Sequence, residues 1–111
     1  KPAKIELIPD RDVLESDGQD ISFITVRITD KYGNICPNAD HLVDFSVSDL
    51  GIIAAVGNGD PASTAPFQSN QRKAFNGLCM LMVKTTKETG TIDVHATSDA
   101  LQKASVSLTV K

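Results

Sequence analysis

Along most of this chain apolar and polar residues alternate at period two. Such alternation sets apolar side chains on one face of a half-buried strand. In residues 21–34, Ile24, Val26 and Ile28 share one face, with Thr25, Arg27 and Thr29 on the other. The run closes on DKYGN, where Gly33 and Asn34 suit the positive φ of a tight reversal. Residues 4–8 set Ile5 and Leu7 against Glu6 and end at Pro9, which an edge strand tolerates. Val13 and Leu14 add a short second half. Residues 41–48 carry Val43, Phe45 and Val47 on one face, and residues 52–56 form a short apolar strand. Residues 73–85 make the second long strand region, with Asn76 and Gly77 marking a bulge or kink near its start. Ile92, Val94 and Ala96 define the next strand, and Ala104, Val106, Leu108 and Val110 the closing one.

Turn chemistry separates these runs, with Gly18 at the expected left-handed position of residues 16–20. About seven antiparallel strands and no helical stretch predict an all-β protein, an immunoglobulin-like β-sandwich.

One strand departs from simple alternation. In residues 78–83, LCMLMV, both faces are apolar. A sandwich strand buries one face in its own domain. Cys79, Leu81 and Val83 continue the core phase, so Leu78, Met80 and Met82 are expected to look outward. In immunoglobulin-like order the neighbouring strand begins with Ile21 and Phe23. Ile21, Phe23, Leu78, Met80 and Met82 are therefore the candidate docking surface between domains. The alternative is that the long loop of residues 57–72 folds back over them. That loop opens with Gly57, Asn58, Gly59, Asp60 and Pro61, a stretch needing several unusual backbone angles.

With 111 residues and 41% hydrophobic content, the chain fits one globular domain spanning residues 1–111. It opens on Lys1-Pro2 rather than methionine and reads as a piece excised from a larger multidomain protein. A net charge of −3 argues against a nucleic-acid partner, which calls for a basic face. No apolar run approaches the ~20 residues of a membrane-spanning helix.

The candidate chemistry is sparse, and no catalytic, metal or cofactor site is assigned. Asp17, Asp20, Asp30 and Asn34 match no calcium-loop spacing, and acidic turn residues bond their own backbone. Asp93 and His95 lack a nucleophile and a pocket, and both His41 and His95 read as surface residues. GNGDP resembles a phosphate loop but lacks the lysine and following helix that such a site needs. Arg72 and Lys73 read as a solvated basic pair. Cys36 and Cys79 read as free thiols, Cys79 as a small buried hydrophobe.

Several segments in order carry a family resemblance: DGQDISF from Asp17, DKYGN from Asp30, PNAD from Pro37, GNGDP from Gly57 and RKAFNGL from Arg72. Together they resemble the immunoglobulin-like domain near the C-terminus of glycoside hydrolase family 2 enzymes, the β-galactosidase-like members. The resemblance is densest between Asp17 and Val83. Cys36 and Cys79 depart from it, standing where an aliphatic or small residue is expected. It implies a non-catalytic accessory module that packs against other domains of its parent enzyme. The two catalytic glutamates of such retaining enzymes lie in a separate barrel domain, so no catalytic residue carries over. It also implies an extracellular or periplasmic location. The DxxGN turn alone also occurs in invasin-type modules, which makes a stalk module of a bacterial adhesin the alternative. A carbohydrate-binding module is a weaker one, because no tryptophan and a single tyrosine offer little platform for a sugar ring.

Overall fold

The computed structural model describes residues 1–58 and 69–111, and every helix or strand among them is a strand. In chain order these are β1 (Lys4–Pro9), β2 (Val13–Leu14), β3 (Ile21–Thr29), β4 (Leu42–Val47), β5 (Gly51–Gly57), β6 (Gln71–Lys73), β7 (Leu78–Thr85), β8 (Gly90–Thr97) and β9 (Ala104–Val110). They form a four-stranded sheet in the order β1-β3-β7-β5 and a five-stranded sheet in the order β2-β9-β8-β4-β6. This is the two-sheet arrangement of an immunoglobulin-like sandwich. The strands beyond the expected seven are β2 and β6, two and three residues long. β2 is the short second half expected at Val13 and Leu14, while β6 is too short for alternation to declare it.

The core lies between the sheets. Ile24, Val26, Ile28, Leu81 and Val83 face Val43, Ile92, Val94 and Leu108, and none of these keeps any accessible surface. Burying each such side chain stabilises by about 1.5–3 kcal/mol, and a one-residue slip of register would expose a whole strand's set. The chain changes sheets after Pro9. β1 pairs antiparallel with β3, whereas β2 runs parallel to β9. The crossing is tied down by Asp10, whose Oδ1 accepts from the Phe23 N–H at 2.9 Å, and by Ser22, whose hydroxyl donates to the Arg11 carbonyl at 2.8 Å.

Several local expectations need correction. Asn76 and Gly77 are not a bulge. Both have positive φ, 54° and 78°, and Phe75 and Leu78 bond reciprocally across them. That is a two-residue hairpin turn, the geometry Asn-Gly favours. In the DKYGN turn Gly33 takes the positive φ, 88°, and Asn34 does not. Thr29 is fully buried rather than outward, at the end of β3 where Lys4 pairs with it on one side and Ile35 bridges to it on the other. Arg72 is 3% exposed rather than solvated. It stands opposite the core residue Val43, and its guanidinium donates to the Val56 carbonyl at 3.2 Å.

Candidate functional site

The outer face of the four-stranded sheet is the candidate surface. Along β7 the burial alternates, with Cys79, Leu81 and Val83 inside and Leu78, Met80 and Met82 outside. The β3–β7 register sets Phe23 opposite Met82, Thr25 opposite Met80, Arg27 opposite Leu78 and Ile21 opposite Lys84. Residues opposed in an antiparallel ladder lie on one face. The five residues singled out from the sequence are thus brought together.

Two more join them. Ile8 on β1 stands opposite Thr25, and Ile52 on β5 stands opposite Lys84. Both were missed, although Ile8 breaks the phase of Ile5 and Leu7 and Ile52 starts an apolar run. The exposed fractions are 38% for Leu78, 44% for Phe23, 45% for Ile8 and 47% for Ile52, while Ile21, Met80 and Met82 are half-buried. Charge sits toward the two ends of this face. Arg27 and Glu6 form an ion pair at 2.5 Å beside Leu78. Lys84, at the other end between Ile21 and Ile52, has no ion pair among the described residues.

A hollow of about 300 Å³ opens on the same face, lined by Thr25, Gly57, Asn58, Leu78, Cys79 and Met80. Gly57 ends β5 opposite Met80, and the side-chain amide of Asn58 donates to the Lys73 carbonyl at 2.8 Å. That bond ties β5 to β6 of the other sheet. Gly59, Asp60 and Pro61 lie outside the described residues.

Of the polar residues considered as chemistry, Asp17, Asp20 and Asp30 hold turns instead. Asp17 accepts from the N–H groups of Gln19 and Asp20, each at 2.9 Å. Asp20 pairs with Arg11 and accepts from the Glu15 N–H at 2.9 Å, and these contacts, Arg11 first, hold its carboxyl below the usual range. Asp30 accepts from the Asn34 and Tyr32 N–H groups, which lowers its pKa in the same way. Asp93 accepts from the Ser107 hydroxyl at 2.9 Å. His95 is exposed, and His41 is half-exposed with its Nδ1 sealed from solvent. The two thiols are unbridged, and burial pushes the Cys79 thiol up to about 12 even with Arg72 nearby to oppose it. Among the described residues no group of three or more His, Cys, Asp or Glu is placed to hold a metal ion.

Residues 5–107 match the family model described as glycoside hydrolase family 2 C-terminal domain 5. The chain is 45% identical over 104 residues to the β-galactosidase BoGH2A of Bacteroides ovatus, a match covering 94% of this chain and 12% of that protein. A solved glycosyl hydrolase family 2 member from Bacteroides cellulosilyticus superposes with a TM-score of 0.98 at 39% identity, over 100% of this chain and 14% of that one. The D00-D0 domain of intimin superposes at 0.70 with 14% identity, over 96% of this chain and 46% of that one, a likeness of fold alone. The chain thus spans about an eighth of the length of the curated relative it matches.

Proposed function

The chain belongs to the glycoside hydrolase family 2 C-terminal domain 5 family, and from that membership we propose that it serves as a non-catalytic module of a β-galactosidase-like glycosidase. Its work is to pack against other domains of the same enzyme through the outer face of the four-stranded sheet. The family match over residues 5–107 carries this reading, and the half-exposed cluster of Phe23, Leu78, Met80 and Met82 supports the choice of surface. Hydrolysis is assigned to the remainder of the parent, where a retaining mechanism sets two carboxyl groups about 5–5.5 Å apart around the scissile bond. The family resemblance also supports an extracellular or periplasmic enzyme, and finding the parent in the cytoplasmic fraction would count against that.

Chromogenic β-galactoside turnover by the intact parent and by the purified 111-residue chain tests the assignment. The expected result is turnover by the parent and none by the chain alone. Turnover by the chain, abolished by substituting one of its own carboxylates, would overturn it. The adhesin alternative is raised by the DxxGN turn, and the likeness to intimin, one of fold alone, does not favour it over the family match.

A further inference from the structure

The apolar face is not uniform. At the row of Thr25, Met80 and Gly57 it sinks into the hollow described above. On the reading that this chain is one domain of a longer enzyme, we infer that the hollow is the seat of a single large apolar side chain from a neighbouring domain of that polypeptide.

The lining suits such an anchor. Leu78 and Met80 supply its apolar walls, and methionine is unbranched enough to repack around an inserted group. Its floor at Gly57 has no side chain, and a Cβ built there would meet nothing within 4 Å. Around it, Ile8, Phe23 and Met82 form the flatter apolar surround that excludes water from an anchor's pocket. The nearest charged pair, Glu6 with Arg27, is already matched and makes no demand on the occupant.

The neighbouring domain is favoured over a second copy by two facts. The relative that this chain matches is about eight times longer, since the match covers 12% of it. A domain joined to its neighbour through the chain has already lost the translational freedom that a second copy must surrender on binding.

Hydroxyl-radical footprinting read at Met80 and Met82 tests the inference without any substitution. In the intact parent Met80 oxidises about tenfold more slowly than in the isolated chain. With Gly57→Phe, whose own side chain fills the seat and displaces the anchor, Met80 oxidises at one rate in the variant parent and in the isolated variant chain. Gly57→Ala serves as the smaller step should Gly57→Phe fail to fold. Equal Met80 rates in parent and isolated chain overturn the inference. If Met82 is protected while Met80 is not, the face docks but the hollow is not the seat. If neither is protected, the docking reading falls with it. Protection that appears in the isolated chain and grows with its concentration assigns the seat to a second copy and also overturns the proposal.

Discussion

Gly77 and Gly33 both sit at positive φ, 78° and 88°, but their surroundings differ. A Cβ on Gly33 would meet nothing within 4 Å, whereas one on Gly77 would drive into the Cys36 carbonyl oxygen. Gly77 is also bonded into place, its N–H on the Ala39 carbonyl at 3.0 Å and its carbonyl on the Ile28 N–H at 2.8 Å. Gly33→Ala should therefore cost the torsional penalty, about 1–2 kcal/mol. Gly77→Ala adds a backbone clash that no side-chain movement relieves, for roughly 2–5 kcal/mol in all. Urea denaturation of the two variants decides, and equal losses would remove the clash from the account. Asp20 gives a prediction in pH. Its folded pKa is lowered, by Arg11 first, so its contribution is present above the unfolded pKa and is lost as pH falls through the folded one. Asp20→Asn should be less stable than wild type at neutral pH, and the gap should close in acid. A gap that persists below the range of both pKa values would point to a cause other than ionisation. Among the thiols, Cys79 is buried with its pKa raised to about 12 and Cys36 is half-buried, so native thiol titration should find at most one fast-reacting group.

At the scale of the element, β7 shows what alternation reveals and where it stops. Its two apolar faces were legible because period two separates Cys79, Leu81 and Val83 from Leu78, Met80 and Met82 whatever surrounds the strand. Its neighbour β3 was legible from the order of immunoglobulin-like strands. The contribution of Ile52 depends on β5 lying beside β7, and the Ile53–Ala55 irregularity in that ladder breaks the simple phase of β5. Arg72 was misread for a related reason. A three-residue strand shows one alternation, Gln71 and Lys73 exposed about a buried Arg72, and only the pairing with β4 reveals which face is inside. The Asn-Gly pair was visible in the sequence, but whether it turns the chain or kinks it depends on Phe75 reaching back to Leu78. The two faces of β7 predict different costs. Leu81→Ala removes a fully buried side chain and should cost about 2–5 kcal/mol. Leu78→Ala on the outer face should cost well under half of that in the isolated chain. Comparable losses from thermal or urea unfolding would mean that Leu78 belongs to the core.

At the scale of the whole molecule, the question is whether a face of this size can hold a domain in place. Phe23, Leu78, Ile8 and Ile52 keep roughly two-fifths to a half of their surface exposed in the isolated chain. Only that remainder is available for docking, so each supplies about 0.5–1.5 kcal/mol rather than the full burial value. With the half-buried Met80 and Met82 added, the total is about 3–8 kcal/mol. That is weak for two free proteins, which must overcome an association cost of about 4–15 kcal/mol. It suffices for a tethered domain, because the linker has already met most of that cost. The double substitution Met80→Asp with Met82→Lys places two charges at the centre of the face while leaving Leu81 and Val83 untouched. In the isolated chain both new groups reach water, and the unfolding midpoint should move little. In the parent they would be held against apolar surface, where even an opposite-charge pair loses its hydration, at several kcal/mol in all. Proteolysis between this domain and its neighbour should then become faster by about tenfold or more. If the isolated chain unfolds, the outer face is supporting the core. If the parent is unchanged, the domain is held by another surface.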